Sequence, residues 1–329
     1  MYPSPVRVMA MAVLPFILAS IPNTAFACTG CACTPDVTGG GRGLTAGTQW
    51  TLGLRSDYPN RPQLYLGMTT ARRGVANTVG PACGLQAVDR VAEERRYTTD
   101  VDYSASPAWG VSLQLPFVVH HRETPGATLD GYGLAGSDQY ERTSTVGDAR
   151  LVGRYHGFSS RHNVGILFGL KLPGSYTPDA LADPNGNTAI ERSLHPETGT
   201  TDAIVGGYYF NDLNKHWSYF VQSTYQSALD SSSNHYRPGN GLNVDLGLRY
   251  RGFEKIRPQL QLNSRHAFRD SGTTTDTGGT LVYLSPGLMV PVGKQTSIFG
   301  FVRLPIHRTM SNDRLAPGYS CSLGVHRSF

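Results

Sequence analysis

The chain ends with the sequence Tyr319-Ser-Cys-Ser-Leu-Gly-Val-His-Arg-Ser-Phe329. The apolar or aromatic side chains of this segment are spaced two residues apart: Tyr319, Cys321, Leu323 and Val325. The residues between them are small or polar. This alternation predicts a β-strand with one apolar and one polar face, because successive side chains of a strand point to opposite sides. The strand ends on an aromatic residue, Phe329.

Eleven further segments show the same two-residue period or a short apolar run typical of strands. In 109–121, for example, Trp109, Val111 and Leu113 alternate with Gly110, Ser112 and Gln114. In 280–290 both faces are apolar, so the sequence does not indicate which face points outward. The predicted strands before the terminal one are 48–56, 96–104, 109–121, 147–155, 163–172, 201–210, 216–228, 242–251, 258–268, 280–290 and 296–306.

The gaps between these segments alternate between long and short. The long gaps are 57–95, 122–146, 173–200, 229–241, 269–279 and 307–318, and the short ones 105–108, 156–162, 211–215, 252–257 and 291–295. An even strand number, alternating connections and a terminal aromatic strand are typical of bacterial outer-membrane barrels. We predict an all-β fold: a closed antiparallel transmembrane β-barrel of about 12 strands with up-and-down topology, both ends of the chain facing the periplasm. A soluble β-sandwich or barrel, the alternative, would not require alternating gaps.

Residues 1–27 have the features of a cleaved secretory signal peptide: Arg7, an apolar run over 8–21 and the cleavage motif Ala25-Phe26-Ala27. That run is shorter than the roughly 20 residues a membrane-spanning helix needs. We predict a signal peptide (1–27), a Cys/Gly-rich periplasmic tail or small plug (28–46) and a barrel (47–329) in the outer membrane of a Gram-negative cell. Lipidation of Cys28 is an alternative. The mean hydropathy of −0.27 is compatible with a barrel because only alternate strand residues face lipid.

If the apolar series faces lipid, the opposite series lines the lumen. The predicted contacts for solute are Arg150, Arg154, Lys171, Arg249, Arg251, Arg265, Arg303, Asp148 and Asp202. Charged rings set the selectivity of pores, so an excess of basic residues would favour anionic solutes. Alternatively, these Arg, Lys and Asp side chains pair with one another and fill the interior.

The N-terminal Cys28-Thr-Gly-Cys31-Ala-Cys33 array offers soft thiolate ligands for Cu(I) or Zn(II). The periplasm favours disulfides instead, and the odd total of five cysteines leaves at least one thiol unpaired within the chain. Cys83 falls in the first long gap. Cys321 falls on the series predicted to face lipid.

Catalysis at the bilayer would need a lipid-facing Ser/His pair to attack an acyl ester. The nearest pairs are His216 with Ser218 and Ser264 with His266, and we predict that both point into the lumen. The chain is therefore predicted not to be an enzyme.

Four segments together resemble the outer-membrane barrel family named for the meta-cleavage pathway of phenol degradation: 147–155 (GDARLVGRY), 169–174 (GLKLPG), 198–202 (TGTTD) and 283–288 (YLSPGL). Family members usually read Leu-Pro-Thr-Gly where this chain has Leu172-Pro-Gly174. The resemblance implies a transporter or porin for small molecules, with no settled substrate and no catalytic residues.

We therefore expect an outer-membrane channel or facilitator that passes small solutes, anionic or small organic compounds foremost. Two alternatives are a metal-handling barrel that uses the cysteine array and a structural or adhesive barrel with a filled lumen. The expected partners are outer-membrane lipid, small-molecule solutes and the barrel-assembly machinery, which would bind the strand ending in Phe329. We expect no nucleic-acid partner and no cofactor other than a soft metal ion.

Overall fold

The structure, a computed structural model, describes residues 49–59, 63–66, 69–70, 91–124, 139–174, 198–231, 237–271, 278–310, 315–316 and 318–329. The predicted signal peptide and the 28–46 tail lie outside these residues. No helix in this described part of the chain is long and apolar enough to cross a membrane.

The described residues fold into β-strands. Their bounds are β1 Gln49–Pro59, β2 Gln63–Leu66, β3 Thr69–Thr70, β4 Val91–Ser104, β5 Trp109–Thr124, β6 Gln139–Val146, β7 Ala149–Tyr155, β8 Val164–Leu172, β9 Asp202–Asp212, β10 Trp217–Ala228, β11 Gly241–Tyr250, β12 Arg257–Ala267, β13 Gly279–Val292, β14 Thr296–Met310, β15 Leu315–Ala316 and β16 Ser320–Ser328.

Twelve antiparallel barrel strands close on themselves, counting β6 and β7 as two halves of one strand. Strands that follow each other along the chain are neighbours, and β1 pairs with both β4 and β16 to seal the ring. The predicted fold class is confirmed. The short connections lie at one end of the barrel, which is called the turn end. Gln49 and Phe329 lie at the same end, and the N–H of Phe329 donates to the Trp50 carbonyl at 2.9 Å. The opposite end is called the loop end.

The barrel extends further at the loop end than the sequence predicted. Residues 91–95, 122–124, 139–146 and 307–310 are strand, although the sequence placed them in long gaps. The prediction failed because segments such as Glu93-Glu94-Arg95 and His120-His121-Arg122 are polar on both faces and show no apolar alternation. Two short pairings, β15 with β2 and β2 with β3, also lie in these gaps.

β6 and β7 pair with successive parts of β5 and are separated by Gly147 and Asp148. The Gly147 N–H donates to the Pro116 carbonyl at 2.8 Å, which keeps the interruption tied to β5. A Cβ at Gly147 would lie 2.9 Å from Cγ of Pro116. Glycine thus allows the strand to pass Pro116 at close range.

The outer face is apolar and is bounded by aromatic residues near both ends, as in membrane-spanning barrels. At the turn end, tilted ring pairs are formed by Trp50 with Tyr103, Trp109 with Tyr155 and Trp217 with Tyr250, with ring centroids 4.4–4.9 Å apart. Towards the loop end, the exposed aromatic residues are Tyr97, Phe117, Tyr225 and Tyr319. Leu52, Leu54, Ile166, Leu170 and Ile298 are among the exposed aliphatic residues between these two girdles.

The structure assigns the faces of β13, which the sequence left open. Tyr283 and Ser285 are buried and face inward, whereas Leu288 is exposed. The register shifts between Val282, opposite His307, and Tyr283, opposite Pro305. Ile306 is thus the extra residue of a β-bulge in β14, and the inward series of β14 changes parity beyond it.

Bulky inward side chains lie flat against glycines of the neighbouring strand. A Cβ at Gly247 would lie 1.8 Å from the ring of Phe220, and one at Gly287 would lie 2.2 Å from the ring of Phe301. Such an aromatic ring fills the space that a glycine leaves in the sheet.

We predict that Gly247→Ala lowers the free energy of unfolding by about 1–3 kcal/mol, because the new methyl group displaces the Phe220 ring. Gly300→Ala is the matched control: its nearest contact would be an ordinary 3.7 Å to a Leu323 methyl. Denaturant unfolding in detergent micelles measures both. In a Phe220→Ala background, Gly247→Ala should lower the free energy of unfolding much less. An equally large decrease in that background would contradict the proposed contact.

Candidate functional site: the barrel lumen

The predicted lumen residues lie on the inward face of the barrel, with one exception. Lys171, Asp202, Arg265 and Arg303 are buried, and Asp148, Arg150, Arg154 and Arg249 are half-buried. Arg251 lies just beyond β11, is exposed at the turn end, and forms an ion pair of 2.5 Å with Asp212. It therefore belongs to the mouth of the barrel rather than to its interior, because β11 ends one residue earlier than the sequence predicted.

The first charged cluster surrounds Lys171 near the loop end of β8. Its Nζ lies 3.0 Å from Oδ2 of Asp148 and 2.9 Å from Oδ2 of Asp202, and it also contacts the Thr198 hydroxyl. The Thr198 hydroxyl donates to Asp148 at 3.0 Å, and the Thr200 hydroxyl donates to Asp202 at 2.7 Å. One lysine thus holds two carboxylates whose remaining lone pairs are hydrogen-bonded, as burial of charge requires.

A second cluster is centred on Asp57 of β1, which is 1% exposed. Its carboxylate lies 2.8 Å from Nε of Arg55 and 3.6 Å from Nη2 of Arg303, and it accepts a hydrogen bond from Ser322. This cluster links β1, β14 and β16. It thus joins the first and last strands through side chains at the seam where the barrel closes.

Arg154 and Arg150 extend the polar lining on β7. Arg154 forms a two-pronged ion pair with Asp102 of β4, with Nη2 2.8 Å from Oδ1, and also donates to Ser104 at 2.8 Å. Arg150 donates to the Gln226 side chain at 3.3 Å, and Gln226 in turn donates to Asp202. The basic residues predicted to attract anions are therefore largely engaged with carboxylates and amides of the wall.

A network of amide and hydroxyl groups around the Asp245 carboxylate occupies the wall formed by β11, β12 and β13. Nδ2 of Asn263 donates to Asp245 at 2.8 Å, and the Ser285 hydroxyl donates to Oδ1 of Asn263 at 2.6 Å. Gln259 and Gln261 lie on the same inward face and are buried. This side of the wall thus combines amide and hydroxyl groups with the Asp245 carboxylate and two arginines of β11 and β12.

An aromatic layer lines the lumen near the turn end, and the sequence analysis missed it. Phe299 and Phe301 of β14 are 2% and 3% exposed and pack with Met289. Phe220 and Tyr208 are also inward and buried. Phe299 and Phe301 have the same parity along β14 as the predicted inward residue Arg303, so the alternation of the sequence already placed both rings inside.

His156 connects the aromatic layer to the turn between β7 and β8. Its side chain is 2% exposed, and its Nδ1 is 2.7 Å from the Tyr208 hydroxyl. Burial lowers the pKa of His156 below its ordinary value of 6.5, and the nearby positive charge of Arg154 acts in the same direction. The hydrogen bond with the Pro107 carbonyl acts the other way but is outweighed.

Of the two Ser/His pairs, the prediction was wrong for Ser264 and His266. Their neighbours Asn263, Arg265 and Ala267 are the buried, inward residues of β12, so this pair faces outward. The error was one of parity along the strand. Nδ1 of His266 is 2.8 Å from the Thr280 hydroxyl, and no hydrogen bond joins Ser264 to His266. Ser218 lies on the inward face of β10, and His216 is exposed in the preceding turn.

Cys321 is a free, exposed cysteine on the outward face, as predicted. Cys28, Cys31, Cys33 and Cys83 lie outside the described residues. Within those residues, no group of three or more His, Cys, Asp or Glu side chains could hold a metal ion. The metal-binding role of the cysteine array therefore stays a prediction.

No family model and no curated protein matches the chain. Among solved structures, it is similar to an outer-membrane channel from Pseudomonas putida F1, with a TM-score of 0.58, 12% identity and coverage of 90% of this chain and 100% of that one. The β domain of the Bordetella autotransporter BrkA gives a TM-score of 0.46 at 13% identity, covering 86% of this chain and 100% of that one. The toluene transporter TbuX of Ralstonia pickettii gives 0.44 at 12% identity, with 86% and 89% covered. The first similarity shows a shared fold, and the two lower scores add no argument.

We predict that Lys171→Gln destabilises the barrel by about 3–5 kcal/mol, because it leaves two buried carboxylates without their shared counter-charge. Unfolding by denaturant in micelles measures the loss. Arg251→Gln is the matched control, since it breaks an exposed ion pair and should cost about 1 kcal/mol or less. The triple variant K171Q/D148N/D202N should recover much of the stability; a triple variant as unstable as K171Q would contradict this account.

The lowered pKa of His156 predicts that stability depends on pH in a defined direction. The unfolded chain binds a proton at this site more readily than the folded protein, so stability is full above about pH 6.5 and falls as the pH drops towards the folded-state pKa. Thermal unfolding from about pH 7.5 to about pH 5 should therefore show a larger loss for the wild type than for His156→Asn. Equal losses would show that other groups cause the effect.

Proposed function

We propose that the protein is an outer-membrane channel through which small organic solutes diffuse. The observation that carries the proposal is the division of the barrel wall into an apolar outer face between two aromatic girdles and a polar inner face contributed by strands all around the ring. A polar inner face is the kind of lining that porins present to the water in their channels. The fold shared with a channel of Pseudomonas putida F1 is consistent with this function.

The lining favours small solutes with little net charge. Lys171, Arg154 and Arg303 lie in ion pairs with wall carboxylates, which reduces the field that a ring of basic residues would exert on an anion. The Asn263 network and the aromatic layer supply mainly amide, hydroxyl and aromatic groups to the inner wall.

The same proposal assigns the location and partners of the protein. The outward apolar face would contact outer-membrane lipid, small solutes would pass along the lumen, and the strand β16 would be recognised by the barrel-assembly machinery. Membership in the family named for the meta-cleavage pathway of phenol degradation would fit this role. Residues 28–46 would serve as a periplasmic tail or small plug.

Planar-bilayer conductance of the purified protein tests the channel, and we expect ion flux with weak charge selectivity. Ser285→Trp adds bulk to the inward face of β13 and should reduce conductance by roughly half or more, because the new ring occupies the pathway. Leu288→Trp, on the outward face of the same strand, should leave conductance unchanged.

Ser112→Trp on the inward face of β5 is a second blocking variant in case Ser285→Trp fails to fold. Heat-modifiable migration on gels would check folding of every variant. A wild-type protein that is folded but silent in several salts would overturn the channel and favour a structural barrel. A strongly anion-selective reversal potential would overturn the inference that ion pairing neutralises the lining.

A further inference from the structure

The turns at the turn end share a pattern that the channel function does not explain. The connections are 156–163 between β7 and β8, 213–216 between β9 and β10, 251–256 between β11 and β12, and 293–295 between β13 and β14. In each of them an exposed basic side chain lies within three residues of an exposed apolar one. The pairs are Arg161 with Phe158, Lys215 with Leu213, Lys255 with Phe253, and Lys294 with Val292, the last residue of β13.

The end of β16 continues the pattern. Arg327 is exposed on the outward face, and its guanidinium lies 5.3 Å from the centroid of the Phe329 ring. Phe329 itself is 60% exposed. The turn between β4 and β5, Ala105-Ser-Pro-Ala108, carries no charge, so it forms a neutral sector in this rim.

The basic rim is defined as Arg161, Lys215, Lys255, Lys294 and Arg327. Among the described residues, none of these five forms an ion pair. The acidic side chains nearby are Asp212, which pairs with Arg251, and Glu254. The rim therefore carries an excess of positive charge, in contrast to the paired charges of the lumen.

We propose that the basic rim binds the headgroups of anionic phospholipids in the leaflet that surrounds the turn end. The inference rests on the membrane-spanning barrel proposed above. The aromatic girdle of Trp109, Tyr155, Trp217 and Tyr250 lies directly next to these turns and sets them at the level of the headgroups. Exposed basic residues beside exposed apolar ones suit that boundary, because the apolar side chains enter the acyl region while the cations meet phosphate.

Other occupants would leave different features. An acidic soluble protein or a free anion would be attracted by the charge but would not account for an exposed Phe158, Leu213 or Phe253 beside each cation. A neutral lipid would account for the apolar side chains but not for the cations. The repeated pairing of both residue types in successive turns favours a ligand that has an anionic head and an apolar tail.

The test uses the full-length protein reconstituted in phosphatidylcholine vesicles that contain trace spin-labelled lipid. We expect the protein to immobilise labelled phosphatidylglycerol in preference to labelled phosphatidylcholine, and the preference to fall with added salt. The variant K215Q/K294Q should reduce the preference roughly fivefold or more. The control R142Q/R269Q removes two exposed basic residues at the loop end and should leave the preference nearly intact.

Equal immobilisation of the two lipids by the wild type, or equal losses in both double variants, would overturn the proposal. Full competition by inorganic phosphate would also overturn it in favour of a site for free anions. Full competition by soluble polyglutamate would indicate a docking surface for an acidic protein instead.

Conductance of K215Q/K294Q, measured in the same vesicles, should match the wild type. A failed lipid preference with intact conductance would therefore refute the rim and leave the channel standing.

Discussion

The structure depends on the hydrogen-bonded seam between β1 and β16. Nine residue pairs, from Thr51 opposite Ser328 to Pro59 opposite Ser320, join strands at opposite ends of the described chain. An unpaired strand edge inside a bilayer would leave backbone groups without partners, at a cost of several kcal/mol each. Closure removes both edges at once. The Asp57 cluster reinforces the seam from inside, since its partners lie on β1, β14 and β16.

Closure also determines how charge is distributed. Once the ring is sealed, every second residue must face lipid and the others must face the lumen, so charged side chains are forced inward. In that confined space an isolated charge is costly, and the wall satisfies its charges in pairs: Lys171 with Asp148 and Asp202, Arg154 with Asp102. Outside the barrel the constraint is lifted. The five residues of the basic rim are exposed at the turn end and, within the described residues, carry no such partner.

Alternation along the strands predicted most of this fold from the sequence. It identified twelve strands, their order and the lumenal location of Lys171, Asp202 and Arg303, because the bilayer enforces a strict two-residue period. The prediction failed where the alternation is lost. The sequence did not identify β6, which lies beyond the apolar band, and it did not assign the faces of β13, because both are apolar. The bulge at Ile306 changes the parity of β14 without a sign in the residue types. The pairing of arginines with aspartates was also not predicted. It depends on the register between strands that are distant in sequence, as for Asp102 and Arg154, and the period of a single strand does not contain that information.

The two ends of the lumen differ in chemistry, and this bears on how a solute would pass. The Lys171 cluster lies near the loop end of its strands, whereas Phe299 and Phe301 lie within eight residues of the turn at 293–295. Near the turn end the wall also carries the Arg154–Asp102 ion pair beside the aromatic rings, so charge is paired with charge towards both ends of the lumen. Gln261, Asn263, Phe299 and Phe301 are at most 3% exposed, so these groups are packed into the wall. Paired charges exert little net field along the barrel, and this pairing bears on the passage of a solute more than any single residue does.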